Sequence, residues 1–348
     1  MESAQPLAVL GATGYTGRLV VEHARELGLP MRLVGRNRDA LEALAQPGEE
    51  VRVADARHER DLIAAFEGAF AVASTAGPFL EIGPKPVAAA ITVGAHYLDT
   101  TGEQEFACRV YEGFGDSAEE RGVVLLTAFG FDYVPGDLAA RLAAEPFEDE
   151  IDEIVVAYST SGTRTSAGTR RTVGHVMSQA LVAYDGRLVP SRFGKTTRTM
   201  RFPFGKRTVV EWSGTEPLTV PRHTRVRRVR SYVRLPRLAA FGGLVGPLVA
   251  PIVKASGRFG GNPSPDARMR NRWTVVAEAR AGGRVSRATL EGFDVYGLTG
   301  MLLARGAEAL RNAEFLATGA CAPAEAFDVH AFAPRLAPLL EVASVEEP

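Results

Sequence analysis

Leu7-Ala8-Val9-Leu10-Gly11-Ala12-Thr13-Gly14-Tyr15-Thr16-Gly17 holds a strand, a turn and a helix start in one short run. The four apolar residues predict a buried strand. Glycines follow at 11, 14 and 17, and an apolar helical pattern opens at Leu19-Val20-Val21. A dinucleotide pyrophosphate requires this order. The first glycine permits the tight turn, the second lets backbone N–H groups approach the phosphate oxygens, and the third lets helix pack close on strand. The helix N-terminus adds unpaired donors and partial positive charge. The spacing is GxxGxxG, not the stricter GxGxxG, so the nucleotide reading leans on the turn's place directly after the first strand. Gly11, Ala12, Thr13, Gly14, Tyr15, Thr16 and Gly17 are the first candidate cofactor contacts.

Downstream of the first helix, Met31 to Val34 predicts a second strand ending at Gly35-Arg36-Asn37-Arg38. An acid at this point suits the ribose 2′-OH of NAD, whereas an arginine suits a 2′-phosphate. Arg36 therefore predicts NADP(H). Val51 to Val53 predicts a third strand, with Asp55 placed to reach the adenine. Ala69 to Ser74 predicts a fourth, running into Thr75-Ala76-Gly77-Pro78-Phe79. Loops at the carboxyl ends of parallel strands are where ligands sit in such a sheet. Ala76, Gly77 and Pro78 are expected to bring backbone near the ribose and nicotinamide, with Phe79 beside the ring. His96 to Asp99 and Gly122 to Thr127 predict a fifth and sixth strand, with helices between. The alternation predicts an α/β fold with a doubly wound parallel sheet of Rossmann type. A helix near 136–144 should follow, capped near Gly136 or Asp137.

The chain has 348 residues, enough for two lobes. Its net charge of −1 argues against a nucleic-acid binder. Cys108 and Cys321 form no CxxC pair and read as reduced thiols of a cytoplasmic protein. The histidines show no metal-ligand spacing, so no metal is expected. No secretory signal is expected at the N-terminus.

In the second lobe, Ile151 to Ser159 and Val209 to Trp212 predict strands, and Val173 to Tyr184 a helix capped by Ser166 or Thr169. Arg164, Arg170 and Arg171 crowd that helix start, as an anion site or a solvated cluster. Trp273–Ala279 and Val285–Phe293, joined by Gly282-Gly283, predict a hairpin. Leu298 to Phe315 predicts a long helix. From Leu218 to Pro265 there is no acidic residue. Arginines run from Arg222 to Arg237 beside an uncharged stretch, 238–253, that is shorter than the ~20 apolar residues of a span. That stretch reads as a buried or dimer-burying segment, or as an apolar wall for a greasy substrate with the arginines facing an acyl carrier or an anionic membrane surface.

The GATGYTG turn (11–17), the strand-end GR (35–36), AGPF (76–79), YLDTTGE (97–103), GFDYVPGDL (130–138) and GACAPAEAF (319–327) together resemble the saccharopine dehydrogenase/reductase superfamily. The chain is most similar to the branch that includes trans-acting enoyl reductases of lipid biosynthesis. The resemblance implies a Rossmann domain interrupted by a mixed α/β substrate lobe, a C-terminal helix returning to the Rossmann lobe, and NADP as nucleotide. The expected division is 1–140 for the NADP-binding domain, 141–316 for the substrate or dimerisation domain, and 317–348 for a segment packing back on the first. A homodimer, located in the cytoplasm or peripherally at a membrane, is the expected form.

Hydride chemistry leaves the protein to place the acceptor carbon, exclude water and manage one proton. Tyr133, Asp132 and Thr101 are the leading candidate acids or carbonyl polarisers, with Asp99, Glu103 and His175 behind them. Asp99 and Asp132 also suit hydrogen bonds to loop amides. No tyrosine has lysine four residues on, so the short-chain dehydrogenase pair is missing. The expected function is an NADP(H)-dependent oxidoreductase, with enoyl reduction of a lipid-like or carrier-bound acyl group as its leading form. An imine or amino-acid oxidoreductase and a non-catalytic NADP-binding regulator are the alternatives.

Overall fold

The structure is a computed structural model that describes residues 5–161, 181–212, 214–235 and 262–348. The described chain forms two compact units, 1–101, 105–131 and 296–328 in the first, 102–104, 132–295 and 329–348 in the second.

The first unit is built on the strands read from the sequence: β1 (Leu7–Leu10), β2 (Met31–Gly35), β3 (Glu50–Val53), β4 (Ala71–Ser74), β5 (His96–Asp99) and β6 (Val124–Leu126). β1 and β4 are buried at every residue, as continuous apolar strands covered on both faces must be. The order is β15-β6-β5-β4-β1-β2-β3, where β15 is Gly319–Ala320. Every pair is parallel. Strand order reverses between β1 and β4, and ligands bind at that reversal, outside the carboxyl ends. Helices α1 (Tyr15–Glu26), α2 (Arg38–Glu42), α3 (Glu59–Phe66), α4 (Phe79–Ile82), α5 (Pro84–Val93) and α6 (Gln104–Glu120) connect the strands. Phe66, Tyr97 and Phe106 are fully buried in its core.

The second unit opens with helix α7 (Val134–Ala144) and strand β7 (Glu153–Ser161). It continues with β8 (Leu181–Asp185), β9 (Leu188–Ser191), β10 (Thr197–Phe202), β11 (Gly205–Glu211), helix α8 (Glu216–His223) and β12 (Arg228–Val233). Helix α9 (Pro265–Met269) and the hairpin β13 (Arg272–Ala281) and β14 (Arg284–Phe293) come next. The sheet order is β10-β11-β12-β7-β13-β14-β16, with β16 being Leu340–Glu346; β8 pairs with β12 and β9 with β8. Among the described strands, β12 and β7 run parallel and the other pairs antiparallel, so this sheet is mixed. Ala281 faces Arg284 across the hairpin turn, and Gly282 and Gly283 both take positive φ (56° and 81°). A two-residue turn of this kind requires that conformation at both positions, which is why two glycines stand there.

Four expectations need correction. Residues 181–184, expected to continue a helix, form β8, because Leu181–Asp185 finds partners on β9 and β12. The helix expected near 136–144 starts at Val134, with Tyr133 at the N-cap. Residues 132–140 pack in the second unit, and α10 (Val295–Arg311) in the first. The segment 317–348 divides: Gly319–Ala320 extends the parallel sheet, while Leu340–Glu346 pairs with β14.

Arg164, Ser166, Thr169, Arg170, Arg171, His175, Arg237 and the stretch 238–253 lie outside the described residues. Among the described residues, no helix is long and apolar enough to cross a membrane.

Candidate functional site

The glycine turn is shaped by backbone contacts that exclude side chains. Gly11 takes φ +84°, and a Cβ there would meet Thr75 Oγ1 at 2.8 Å. A Cβ on Gly17 would fall 2.1 Å from the Gly11 carbonyl oxygen. These contacts bring the first turn of α1 against the end of β1. Thr75, after β4, fastens the two strand ends: its hydroxyl lies 3.2 Å from the Leu10 carbonyl and 3.3 Å from that of Gly11. Gly14 is exposed at the N-cap of α1, no side chain caps the helix, and no acid stands in its first turn. Open helix N–H groups with no competing acid are what an anionic pyrophosphate needs. Ala12 is buried, while Thr13, Tyr15 and Thr16 are half-buried around this opening. Tyr15 meets Tyr296 edge-on at 5.3 Å.

Arg36 directly follows β2 and is exposed. Among the described residues, no hydrogen bond or ion pair engages its guanidinium. Its neighbours differ: Arg32 pairs with Glu50 at 2.9 Å and Arg38 with Glu42 at 3.4 Å. Asn37 caps α2 by accepting from the Ala40 N–H. Among the described residues, Arg36 is thus an unpaired cation at this strand end. Asp55 behaves otherwise. Arg57 grips both its oxygens, at 3.0 and 2.6 Å, and holds its carboxyl well below the usual carboxylate range. Any adenine contact has to share those oxygens.

After β4, Ala76 is half-buried and Gly77 and Pro78 are exposed, joined by a cis peptide bond. Phe79 departs from the expectation of a ring beside the nicotinamide. It is 6% exposed and packs in the core on Phe106 at 5.7 Å. The reason is local: Phe79 begins α4, which turns its side chain inward. The loop offers the backbone of Ala76–Pro78, not an aromatic ring.

Asp99 ties β5 to β6. Fully buried, it accepts from the Thr101 N–H (2.8 Å), the Ala128 N–H (3.0 Å) and the Thr127 hydroxyl (3.0 Å). Burial nonetheless pushes its carboxyl up to about 6. This is the loop-bracing role the sequence left open for it. Thr101 is 2% exposed and held in the same turn.

In the second unit, Tyr133 is buried, and its hydroxyl donates to the Gly102 carbonyl at 2.8 Å. Its ring stacks on Trp212 at 6.1 Å, and burial raises its phenol well above the ordinary value. A phenol so held is a poor acid. Asp132, beside it, keeps surface exposure while the surrounding protein crowds its carboxyl and lifts it to about 6. Of the candidates, Asp132 is the one with an exposed side chain.

Glu216 and Tyr158 form a second buried polar pair in this unit. Glu216 has no exposure and accepts from Tyr158 O–H (2.6 Å) and Ser231 O–H (2.5 Å). Burial lifts its carboxyl to about 7. In sequence, Thr215-Glu216-Pro217 reads as an ordinary helix start, so no signal marked it. Asp137 is likewise buried and meets His223 Nε2 at 3.0 Å. Of the arginine run, Arg227 pairs with Glu150 and Asp152, and Arg230 donates to the Tyr184 carbonyl. Among the described residues no group of ligands fits a metal ion.

Residues 11–148 match the NAD(P)H-binding family. The chain is 32% identical over 197 residues to a trans-acting enoyl reductase of Mycobacterium ulcerans, covering 52% of this chain and 47% of that protein. It is 29% identical over 185 residues to a lipid droplet localized protein of Caenorhabditis elegans, covering 48% and 43%. A probable mitochondrial saccharopine dehydrogenase-like oxidoreductase of Arabidopsis thaliana is 31% identical over 161 residues, covering 41% and 36%. The chain spans about half the length of the first of these relatives. Among solved structures, apo saccharopine dehydrogenase (L-Glu forming) of Saccharomyces cerevisiae aligns with a TM-score of 0.61 at 11% identity, covering 96% of this chain and 95% of that one. These similarities bear out the resemblance to the saccharopine dehydrogenase-like superfamily: the chain carries an NAD(P)H-binding domain, takes a nicotinamide cofactor, and has the saccharopine dehydrogenase fold.

Proposed function

We propose that the chain is an NADP(H)-dependent oxidoreductase that reduces the carbon–carbon double bond of an enoyl thioester in a lipid-like or carrier-bound acyl substrate. The observation that carries the cofactor choice is the unengaged Arg36 at the end of β2, in the same sheet edge as the uncapped start of α1. The backbone at Gly14–Gly17 holds the pyrophosphate, Arg36 the 2′-phosphate, and the backbone of Ala76–Pro78 the nicotinamide end. When bound, the cofactor supplies the hydride. Addition at the β-carbon leaves an enolate that needs a proton at the α-carbon. Asp132, with its carboxyl lifted to about 6, is the group assigned to deliver it. Two relatives, a trans-acting enoyl reductase and a lipid droplet localized protein, support the substrate class.

Removing the Arg36 charge tests the cofactor assignment. A charge-assisted hydrogen bond is worth roughly 1.5–3 kcal/mol, so Arg36→Ala should weaken NADPH binding about 10- to 100-fold and leave NADH binding unchanged. Equal losses for both cofactors would place Arg36 elsewhere than on the 2′-phosphate. The substrate class is tested by NADPH oxidation with a series of trans-2-enoyl thioesters, against NADP reduction with amino acids. Turnover confined to amino acids defeats the enoyl assignment.

A further inference from the structure

Beneath the segment that carries Asp132 lies a carboxylate that no cation among the described residues pairs with. Glu216, the first residue of α8, is fully buried, and among the described residues none of the ion pairs includes it. Its partners are hydroxyls: Tyr158 on β7 at 2.6 Å and Ser231 on β12 at 2.5 Å. Two glycines make room for it. A Cβ on Gly136 would lie 2.2 Å from both Glu216 Oε1 and Tyr158 Oη, and one on Gly214 would lie 2.0 Å from Glu216 Oε2. Two strands, two helix starts and two missing side chains thus converge on one acid. A carboxylate is costly in such a place, and an apolar side chain would serve packing better.

Tyr158 passes the constraint on. Its hydroxyl accepts the Gly136 N–H at 3.1 Å and lies 3.2 Å from the Tyr133 carbonyl. With its one proton on Glu216, it holds the first turn of α7 through the Gly136 N–H, four residues after Asp132. Trp212 packs on the same pair, against the Tyr133 ring at 6.1 Å and the Tyr158 ring at 5.6 Å.

We infer that Glu216 is a positioning residue: acting through Tyr158, it fixes residues 133–136 and so sets the placement of the Asp132 carboxyl. The inference rests on the assignment of Asp132 as proton donor. The ionisable groups around Glu216 are Tyr158 on β7, Asp137 on α7 with its partner His223 on α8, and, around the two tyrosines, Asp132 and Glu103. None supplies a fixed cation. The carboxyl, lifted to about 7, accepts both hydroxyls when ionised and gives up one acceptor position when protonated. The hydrogen bonds between Tyr158 and α7 should accordingly rearrange as pH passes through that value.

Three readouts test this. Tryptophan emission is followed from pH 5 to 9 in a Trp273→Phe background, where Trp212, against the two tyrosines, is the one tryptophan left. A transition with a midpoint near 7 is expected in this background and its absence when Glu216→Gln is added; a transition that survives Glu216→Gln overturns the inference. Amide hydrogen exchange of residues 132–138 should rise about 10-fold or more in Tyr158→Phe at unchanged global stability elsewhere in the second unit. Unchanged exchange there overturns the inference whether or not a substrate is known. Turnover of trans-2-decenoyl-CoA with NADPH completes the set. Misplacement of a reacting group costs on the order of 10- to 100-fold, so kcat should fall by that factor in Glu216→Gln and Tyr158→Phe, with KM and NADPH affinity held. An inactive Asp132→Asn beside a fully active Glu216→Gln overturns the positioning role and leaves Asp132 in place. A fully active Asp132→Asn overturns the donor assignment itself.

Discussion

Gly17→Ala should abolish NADPH binding and lower the stability of the first unit. The added methyl would sit 2.1 Å from the Gly11 oxygen, 2.9 Å from the Gly11 carbonyl carbon and 3.0 Å from Ala12 Cα. All three are backbone atoms, so no side chain can swing away. Either α1 lifts from β1 or the turn opens, and both remove the amide geometry that faces a pyrophosphate. Forced overpacking costs about 1–3 kcal/mol, more where backbone must move. A thermal melt and a fluorescence titration with NADPH measure the two effects. Gly113→Ala is the matched control: it lies within α6, and a Cβ there meets nothing within 4 Å. It should leave both properties unchanged. Wild-type NADPH affinity in Gly17→Ala would remove the turn from the site.

The second large effect is a loss of stability as pH rises from about 5 to 8. Asp99 and Glu216 are fully buried, and their carboxyls are lifted from 3.8 to about 6 and from 4.5 to about 7. An acid whose folded value exceeds its unfolded one binds its proton more tightly in the native state. Its stabilising contribution is complete below the unfolded value and disappears as pH climbs through the folded one. At 1.36 kcal/mol per unit, each shift corresponds to roughly 3 kcal/mol across that window. Asp55 and Glu49, held low by Arg57 and Arg25, work in the opposite direction, and their contributions are lost at more acid pH. The midpoint of urea unfolding should thus be highest between these ranges, near pH 5, and fall toward pH 8. Glu216→Gln should flatten the part of that fall nearest pH 7. A midpoint that climbs from pH 5 to 8 contradicts the burial of these acids.

Much of the first unit was legible in the sequence because its instructions are local. Each of β1, β2, β4 and β5 is a short apolar run joined at once to its loop, and the order of those loops carries the topology. Gly17 is readable for the same reason, since its clash partner is only six residues away. Arg36 is readable because the residue just past a parallel strand's carboxyl end lies at the ligand edge of the sheet. Phe79 misled because a loop aromatic looks identical whether its ring faces ligand or core; only the start of α4 decides it. In the second unit the deciding contacts are distant in sequence. Leu181–Asp185 is apolar enough for helix or strand, and β12, more than forty residues on, makes it a strand. Glu216 meets Tyr158 and Ser231 from two other strands, and nothing adjacent to it announces a buried acid. Tyr133 stood out by its place in an aromatic loop, yet its hydroxyl is committed to Gly102, and the adjoining Asp132 is the accessible group.

Gly11–Gly17 and Arg36 are proposed to form one NADP site. Calorimetric titration of the wild-type chain with NADPH and with NADH addresses it most directly. The expected result is saturable NADPH binding, with NADH at least about 10-fold weaker, the margin that a charge-assisted contact to the 2′-phosphate supplies. Equal or tighter binding of NADH, or no binding of either nucleotide, contradicts it.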